Sequence, residues 1–548
     1  MIHVKQELAD LLFPNLPLTV EEIEAKYPPR DLKEGAMVTR FGPSPTGFMH
    51  VGGLYGSFID SVLARQSDGA FFLRIEDTDS KREVEGATDL ILGALDHFKI
   101  QPTEGFSYGG NYGPYRQSER KEIYQAYAKK LVSEGKAYPC FMSEEEISEI
   151  RQGQELRKEA IGIYGVYAVD RDLSLEEVKK HLDNKDSYVI RMKSPGDMHK
   201  EIILHDMIKG DITLPENILD EVILKKDGIP TYHFAHVVDD HLMRTTHVIR
   251  GDEWVPSFPK HLQLCQLLGF KPCKYAHHAP LTKKENGKIR KLSKRKDPEF
   301  SVSYYKEAGI PVDAVRLYLA TLANTNFEEW YIQNKDKSIE DFTFTFKKMP
   351  TGGTLFDMEK LDNIARTYFS RLSAQTLYQD ALAYYQEYDK AFATLMEQHK
   401  ESVIAFLNIE RNSKRPRKDI ATYKDIKQES MYIFNELFYQ GDPYKTIDTI
   451  EDTDLLLEYI TVYDKNDSQD EWYKKIQLLA EKHGYAPSTK MYKENEELYK
   501  GHIGTICEAI RQVLTGRTQT PNLYELLQII GIDEFKNRLQ KYIETKNV

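Results

Sequence analysis

Val38-Thr39-Arg40-Phe41-Gly42-Pro43-Ser44-Pro45-Thr46-Gly47, with His50-Val51-Gly52-Gly53 just beyond it, is the stretch whose reading decides the fold. Its first four residues read as the end of a buried strand, and the glycines and prolines that follow stop any continuing strand or helix. From Leu54 the apolar residues fall at Leu54, Phe58, Ile59, Val62 and Leu63, the stripe of an amphipathic helix. Strand, glycine-bearing turn and helix together open a nucleotide-binding βαβ unit. A second strand, Ala70-Phe71-Phe72-Leu73-Arg74-Ile75, runs into Glu76-Asp77-Thr78-Asp79. Ligands of open α/β sheets bind beyond the carboxyl ends of the strands, so Arg40 and Glu76 are expected to meet in one crevice.

Outward from this unit the chain changes texture several times. Gly109-Gly110-Asn111-Tyr112-Gly113-Pro114 breaks the pattern, and the mixed segment after it reads as an insertion between two halves of the sheet. The second half is expected to resume with strands near residues 231–238 and at Thr246-His247-Val248-Ile249-Arg250-Gly251, placing Arg250 at a strand end. From about Met358 long helical patterns dominate, such as Ala509 to Leu514 with Gly516 as its stop. Ahead of the first strand, Thr19 and Glu22 form the pattern of a capping box for a short helix.

A second motif, Lys291-Leu292-Ser293-Lys294-Arg295, lies about 240 residues after the first, in a stretch from Lys283 to Lys296 with eight basic residues and one acid, Glu285. Gly287 and its polar neighbours suggest a mobile loop. Lysines brought against a nucleotide neutralise charge that develops on phosphate oxygens. The first motif supplies the complement: close backbone approach at glycine, an anion-favouring helix N-terminus, and His50 as a donor.

The 548 residues exceed what one core organises. With 74 basic and 86 acidic side chains the net charge is −12, which excludes general attraction to a polyanion; any nucleic-acid contact must be local and salt-sensitive. One local candidate is the cluster Arg411, Lys414, Arg415, Arg417 and Lys418 in the helical region. No run of about 20 apolar residues is present, so no membrane segment is expected. Four scattered cysteines speak for a reducing, cytoplasmic address.

His50-Val51-Gly52-Gly53 paired with Lys291-Leu292-Ser293-Lys294-Arg295 resembles the two signatures of class I aminoacyl-tRNA synthetases. Together with the Arg40 to Gly47 turn, Arg74 to Asp79, Pro114-Tyr115-Arg116-Gln117-Ser118-Glu119-Arg120 and His247 to Gly251, the chain is similar from about Ala36 onward to the bacterial glutamyl type. The resemblance implies ATP-dependent ligation of L-glutamate to the 3′ end of tRNA(Glu) through glutamyl adenylate, with ATP and Mg2+ required; whether tRNA(Gln) is a second acceptor is left open. It also implies a monomer.

By the same resemblance, His50, Gly52, Gly53, Lys291, Ser293 and Lys294 serve ATP, with His50, Lys291 and Lys294 catalytic. Arg40, Ser44, Glu76, Tyr232, His236 and Arg250 fall on the glutamate pocket. Two carboxylates and an ammonium ask for two cations and an anion, which Arg40, Arg250 and Glu76 provide; which arginine takes which carboxylate stays open.

The implied architecture is α/β: a leader (1–35), a split Rossmann-like, doubly wound parallel sheet (36–113 and 231–280), an inserted acceptor-end-binding domain (114–230), a Lys-Ser loop and stem-contact region (281–370), and an all-helical anticodon-binding region (371–548). The family's zinc-bearing members have a cysteine pair where this chain has only Cys140, so no zinc is expected. The glutaminyl type differs in the first loop, which it writes Pro-Pro-Glu-Pro-Asn-Gly. A catalytically silent tRNA-binding protein is disfavoured by the retained His50, Glu76, Arg250, Lys291 and Lys294.

Overall fold

The computed structural model describes residues 2–79, 81–445, 447 and 450–546. It divides into two compact units, Met1–Tyr304 with Arg316–Asp357, and Tyr305–Val315 with Met358–Val548.

The first unit begins with two leader helices, α1 (Ile2–Leu12) and α2 (Val20–Lys26). The expected capping box starts α2: Glu22 N donates to Thr19 Oγ1 at 3.2 Å and Thr19 N donates to Glu22 Oε2 at 2.9 Å. Then come β1 (Val38–Phe41), α3 (Val51–Gln66), β2 (Ala70–Leu73), α4 (Ala87–His97) and β3 (Glu104–Gly105). The three strands are parallel in the order β1-β2-β3. Leu54, Phe58, Ile59, Val62 and Leu63 of α3 are all buried, as their spacing requires of a helix laid on a sheet.

After α5 (Lys121–Ser133) the insertion carries β4 (Ala137–Cys140), α6 (Glu144–Arg157), α7 (Leu175–Asp183), β5 (Val189–Met192), the hairpin β6 (Glu201–Asp206) and β7 (Gly210–Pro215), and β8 (Val222–Leu224). Strands β4, β5 and β8 form an antiparallel sheet of their own. The β6–β7 hairpin does not join it.

The second half of the sheet follows as α8 (Tyr232–Leu242), β9 (His247–Gly251), α9 (Phe258–Leu268) and β10 (Lys274–His278). Strands β9 and β10 pair in parallel over five residues, and β6 adds to the outer edge of β10 through Asp206 and Tyr275. The two halves meet where Thr246 N donates to Val38 O at 3.0 Å and Val38 N to Thr246 Oγ1 at 2.7 Å. The strand order therefore reverses between β1 and β9, the switch point at which such sheets open a ligand crevice.

Two expectations are corrected. Residues 231–238 are not a strand but the N-cap and first turns of α8. Phe234 through Asp240 are buried without interruption, and unbroken burial leaves no periodicity by which to tell a helix from an interior strand. The stretch expected as a mobile loop is largely a hairpin, β11 (Leu281–Glu285) with β12 (Lys288–Lys291), and β13 (Thr354–Leu355) lies beside β11. Asn286 and Gly287 both take positive φ, 49° and 77°, the two-residue turn that Asn-Gly favours.

Among its described residues after Met358 the regular elements of the second unit are all helices, apart from a lone bridge between Ala486 and His502. The helix Ile503–Thr515 ends at Gly516 in the left-handed conformation, φ 69°, the stop its sequence announces. Tyr378, Phe392, Phe406, Tyr444, Tyr459, Trp472 and Tyr542 fill its core. No helix among the described residues is long and apolar enough to cross a membrane.

Candidate active site

A cleft of about 1210 Å³ opens in the first unit at the switch point. Its wall brings together Arg40, Ser44, His50, Gly52, Gly53, Glu76, Tyr232, Arg250 and Lys291. These residues come from both halves of the sheet and from the β11–β12 hairpin, so only the folded chain assembles them.

One side is built by the turn after β1. Glu76 N donates to Pro43 O at 3.0 Å, which ties the turn to the end of β2. A Cβ at Gly42 would enter the Glu76 carboxylate, so glycine is required there for packing. His50 is the N-cap of α3, and its Nδ1 accepts from Gly53 N at 3.0 Å. Desolvation holds its pKa below the ordinary histidine value, so the ring is neutral near pH 7. With Nδ1 accepting, the proton sits on Nε2, and His50 offers an N–H donor next to a helix N-terminus: an anion site. The ring stacks on Phe300 at 5.1 Å between centroids.

Behind Arg40 and Glu76 lies a buried charge cluster. Arg74, with no exposed surface, donates from Nη1 to Asp240 Oδ1 at 2.7 Å and from Nη2 to Glu76 Oε1 at 2.8 Å. Arg40 Nε reaches Asp240 Oδ2 at 3.4 Å. Burial pushes the Asp240 carboxyl up, but Arg74 and Arg40 outweigh it and hold the pKa well below the usual carboxylate range. For Glu76 burial wins and the pKa is raised, even with Arg74 and Arg40 opposing it. Asp239 pairs with Arg120 at 2.7 Å, and its other oxygen lies 3.9 Å from Arg74 Nε. Arg40 and Arg74 are thus balanced by Glu76 and Asp240.

Arg250 is different. It is 7 % exposed, its Nε donates to His277 Nε2 at 2.9 Å, and its Nη1 lies 3.2 Å from His261 Nδ1. Among the described residues no ion pair joins it to a carboxylate, and the surface pair with Asp252 or Glu253 that its sequence neighbourhood allows is not formed. Asp252 faces Lys209 at 3.5 Å instead. A buried guanidinium without a counter-charge is costly unless a ligand brings one.

The hairpin delivers the basic side. Asp297 accepts both Arg290 Nη1, at 2.6 Å, and Arg290 Nη2, at 2.8 Å, together with Ser293 N at 2.8 Å. Lys283 is taken by Glu299 and Asp297. These pairs fasten the turn and leave Lys291 at the cleft, while Lys294 Nζ stands 5.8 Å from the Phe48 ring centroid, beside Gly47.

Residues 36–363 match the family model for the class I tRNA synthetases (E and Q), catalytic domain, and residues 376–543 match an anticodon binding domain. The chain belongs to the class I tRNA synthetases. It is 47% identical over 543 residues to a glutamate–tRNA ligase of Acetivibrio thermocellus, covering 98% of this chain and 100% of the relative. It is 43% identical to one of Clostridium perfringens, covering 98% and 99%. A crystal structure of a glutamate tRNA ligase from Elizabethkingia meningosepticum in complex with its amino acid superposes with TM-score 0.76 at 30% identity, covering 93% of this chain and 99% of that one.

Within this class I synthetase chain several candidate residues lie elsewhere than the cleft wall. His236 is fully buried behind it, with Nδ1 2.9 Å from Asp240 Oδ2 and Nε2 3.2 Å from the Tyr275 hydroxyl, and desolvation lowers its pKa to about 4. It props the charge cluster and Tyr275. In the helical unit Arg411 points inward, donating to the carbonyls of Leu407 at 2.9 Å and Phe369 at 2.7 Å. Arg417 pairs with Asp419 at 2.7 Å and donates to Phe406 O at 3.0 Å. Lys414, Arg415 and Lys418 are exposed. Arg74, Asp240, His261, His277 and Trp254 also line or back the cleft, although sequence reasoning assigned none of them a place in it. The adjacent acids Asp239 and Asp240, on a buried helix, are the signal that could have pointed to the cluster. Asp77 is taken up by Ser118: it accepts Ser118 N at 2.8 Å and Ser118 Oγ at 2.6 Å.

Proposed function

We infer that this chain joins L-glutamate to the 3′ end of tRNA(Glu) at the expense of ATP, through a glutamyl adenylate, releasing diphosphate and then AMP. The observation that carries the reading is Arg250, a buried cation with no carboxylate paired to it among the described residues, in the cleft that also holds Glu76 and His50. A dicarboxylate with an ammonium group answers this arrangement. One carboxylate compensates Arg250, the ammonium meets Glu76 and lowers its raised pKa, and Arg40 stands by for the other carboxylate.

The glycine turn, His50 Nε2–H and the α3 N-terminus receive ATP, with Lys291 and Lys294 approaching from the hairpin. The attacking carboxylate is already ionised, so the first step needs no base. A carboxylate oxygen forms a bond to the α-phosphorus, the bond to the bridging oxygen breaks, and diphosphate leaves. The tRNA hydroxyl then attacks the acyl carbon, the acyl–phosphate C–O bond breaks, and AMP leaves as the hydroxyl proton passes to one of its phosphate oxygens. Magnesium takes few protein ligands when phosphates supply the rest. A magnesium ion would arrive on ATP, held mainly by its phosphate oxygens. The exposed Lys414, Arg415 and Lys418 remain candidates for tRNA phosphates. We place the enzyme in the cytosol, consistent with four free cysteines.

Transfer of labelled glutamate to tRNA tests the reading. Glutamyl-tRNA should accumulate with tRNA(Glu), and its absence would refute the proposal. A parallel reaction with tRNA(Gln) decides whether that acceptor is also charged. Lys294→Ala should cut kcat on the order of a hundredfold, the scale of losing one charge-stabilising donor.

A further inference from the structure

The cleft explains which charges face the substrate, but Arg250 itself must be aimed. A guanidinium offers five N–H donors and no acceptor, so its neighbours must present lone pairs. Two of them are imidazoles, and the third is the Trp254 carbonyl, 3.5 Å from Arg250 Nη2. Asp206 Oδ2 lies 2.7 Å from His277 Nδ1, and His277 Nε2 accepts from Arg250 Nε at 2.9 Å. On the other side His261 Nδ1 faces Arg250 Nη1 at 3.2 Å, while His261 Nε2 lies 2.9 Å from His233 Nδ1. Five side chains therefore form one line: Asp206, His277, Arg250, His261, His233.

The polarity of that line is determined by its acidic end. Asp206 accepts only, so the His277 proton sits on Nδ1 and the Nε2 lone pair points at Arg250. Asp206 is itself oriented by the backbone N–H groups of Ile208, at 3.0 Å, and Lys209, at 2.8 Å, and by His277 N at 3.1 Å. It has 5 % exposure and belongs to β6, the hairpin strand of the insertion that joins the edge of the main sheet.

We propose that Asp206 and His277 are positioning residues for glutamate specificity: the insertion's hairpin supplies the carboxylate that locks the His277 tautomer, and that tautomer holds the Arg250 guanidinium toward the substrate carboxylate. Neither residue touches substrate. The inference rests on Arg250 as a carboxylate-binding cation.

With Asp206→Asn, the side-chain amide can donate to Nδ1 and move the imidazole proton to Nε2, where it opposes the Arg250 N–H. In the full-length enzyme KM for glutamate should rise about tenfold, with KM for ATP and kcat within twofold. His277→Leu removes the acceptor and should match that rise; His277→Gln keeps an acceptor oxygen and should recover at least half of it on a logarithmic scale. On the His277→Leu background, Asp206→Asn should add nothing to KM for glutamate. The proposal is overturned if Asp206→Asn leaves that KM unchanged, raises both KM values alike, or adds its full effect to His277→Leu. Should Asp206→Asn not fold, the Leu and Gln variants of His277 decide between the same alternatives. Arg250→Ala separates the two layers: if it leaves KM for glutamate unchanged, the reading of the cleft fails, and if it raises KM while the Asp206 and His277 variants are silent, only the positioning role fails.

Discussion

Gly42 has no room for a methyl group, because a Cβ there would enter the Glu76 carboxylate. Overfilling a packed position costs about 1–3 kcal/mol. The carboxylate is held by Arg74 and cannot yield without turning from the cleft. Gly42→Ala should therefore raise KM for glutamate about tenfold or more and leave KM for ATP nearly unchanged, which steady-state kinetics in each substrate will show; equal changes in both would refute it. Arg40, Glu76 and Arg250, which line the cleft, were legible as candidates because each stands at a strand end. Arg74 and Asp240 were not, because a buried ion pair leaves no mark on hydrophobic periodicity.

Two elements hold the site in place. The turn after β12 depends on Asp297, 3 % exposed, which takes Arg290 bidentately and Ser293 N. Arg290 and Ser293 N together keep its pKa far below the carboxylate range. Asp297→Asn removes the charge that fastens the turn, so Lys291 and Lys294 lose their fixed approach. The expected result is a roughly tenfold lower kcat, with KM for glutamate within twofold, on the scale of a misplaced electrostatic donor.

The leader is the other element. Glu24 of α2 lies 2.7 Å from His241 Nε2 and accepts Arg244 Nη2 at 3.1 Å and the Tyr127 hydroxyl at 2.7 Å, which joins the leader to the end of α8. Glu24→Gln should lower the stability of the first unit by about 1–2 kcal/mol, read as a lower melting temperature. An unchanged melting temperature would show the leader to be ornamental to that unit.

Across the first unit, eight histidines are held below their ordinary pKa by desolvation: His50, His233, His236, His241, His247, His261, His277 and His278. Their unfolded forms protonate first on acidification, so the unfolded state binds more protons and stability falls as pH drops below about 6.5. The loss continues toward about 4 for His236 and His247 and about 3 for His233. Depressed Asp240 adds to it at lower pH, whereas Glu76, Asp60 and Asp220, held up by burial, act in the opposite sense. The histidines outnumber these acids, so the first unit should melt at a lower temperature at pH 5 than at pH 7.5; equal melting at the two values would refute the balance.

The sequence by itself determined the strand–turn–helix opening, the helical second unit, the capped leader helix and the pairing of His50 with Lys291. Each depends on local periodicity, turn chemistry or motif spacing. Only the tertiary structure decided that residues 232–238 are helical, that Arg411 and Arg417 spend their charge on carbonyls and Asp419, and that Arg250 stands between two imidazoles with no paired acid among the described residues. Continuous burial erases the periodic signal, and a counter-charge can come from any distance along the chain, so its presence or absence is settled in space.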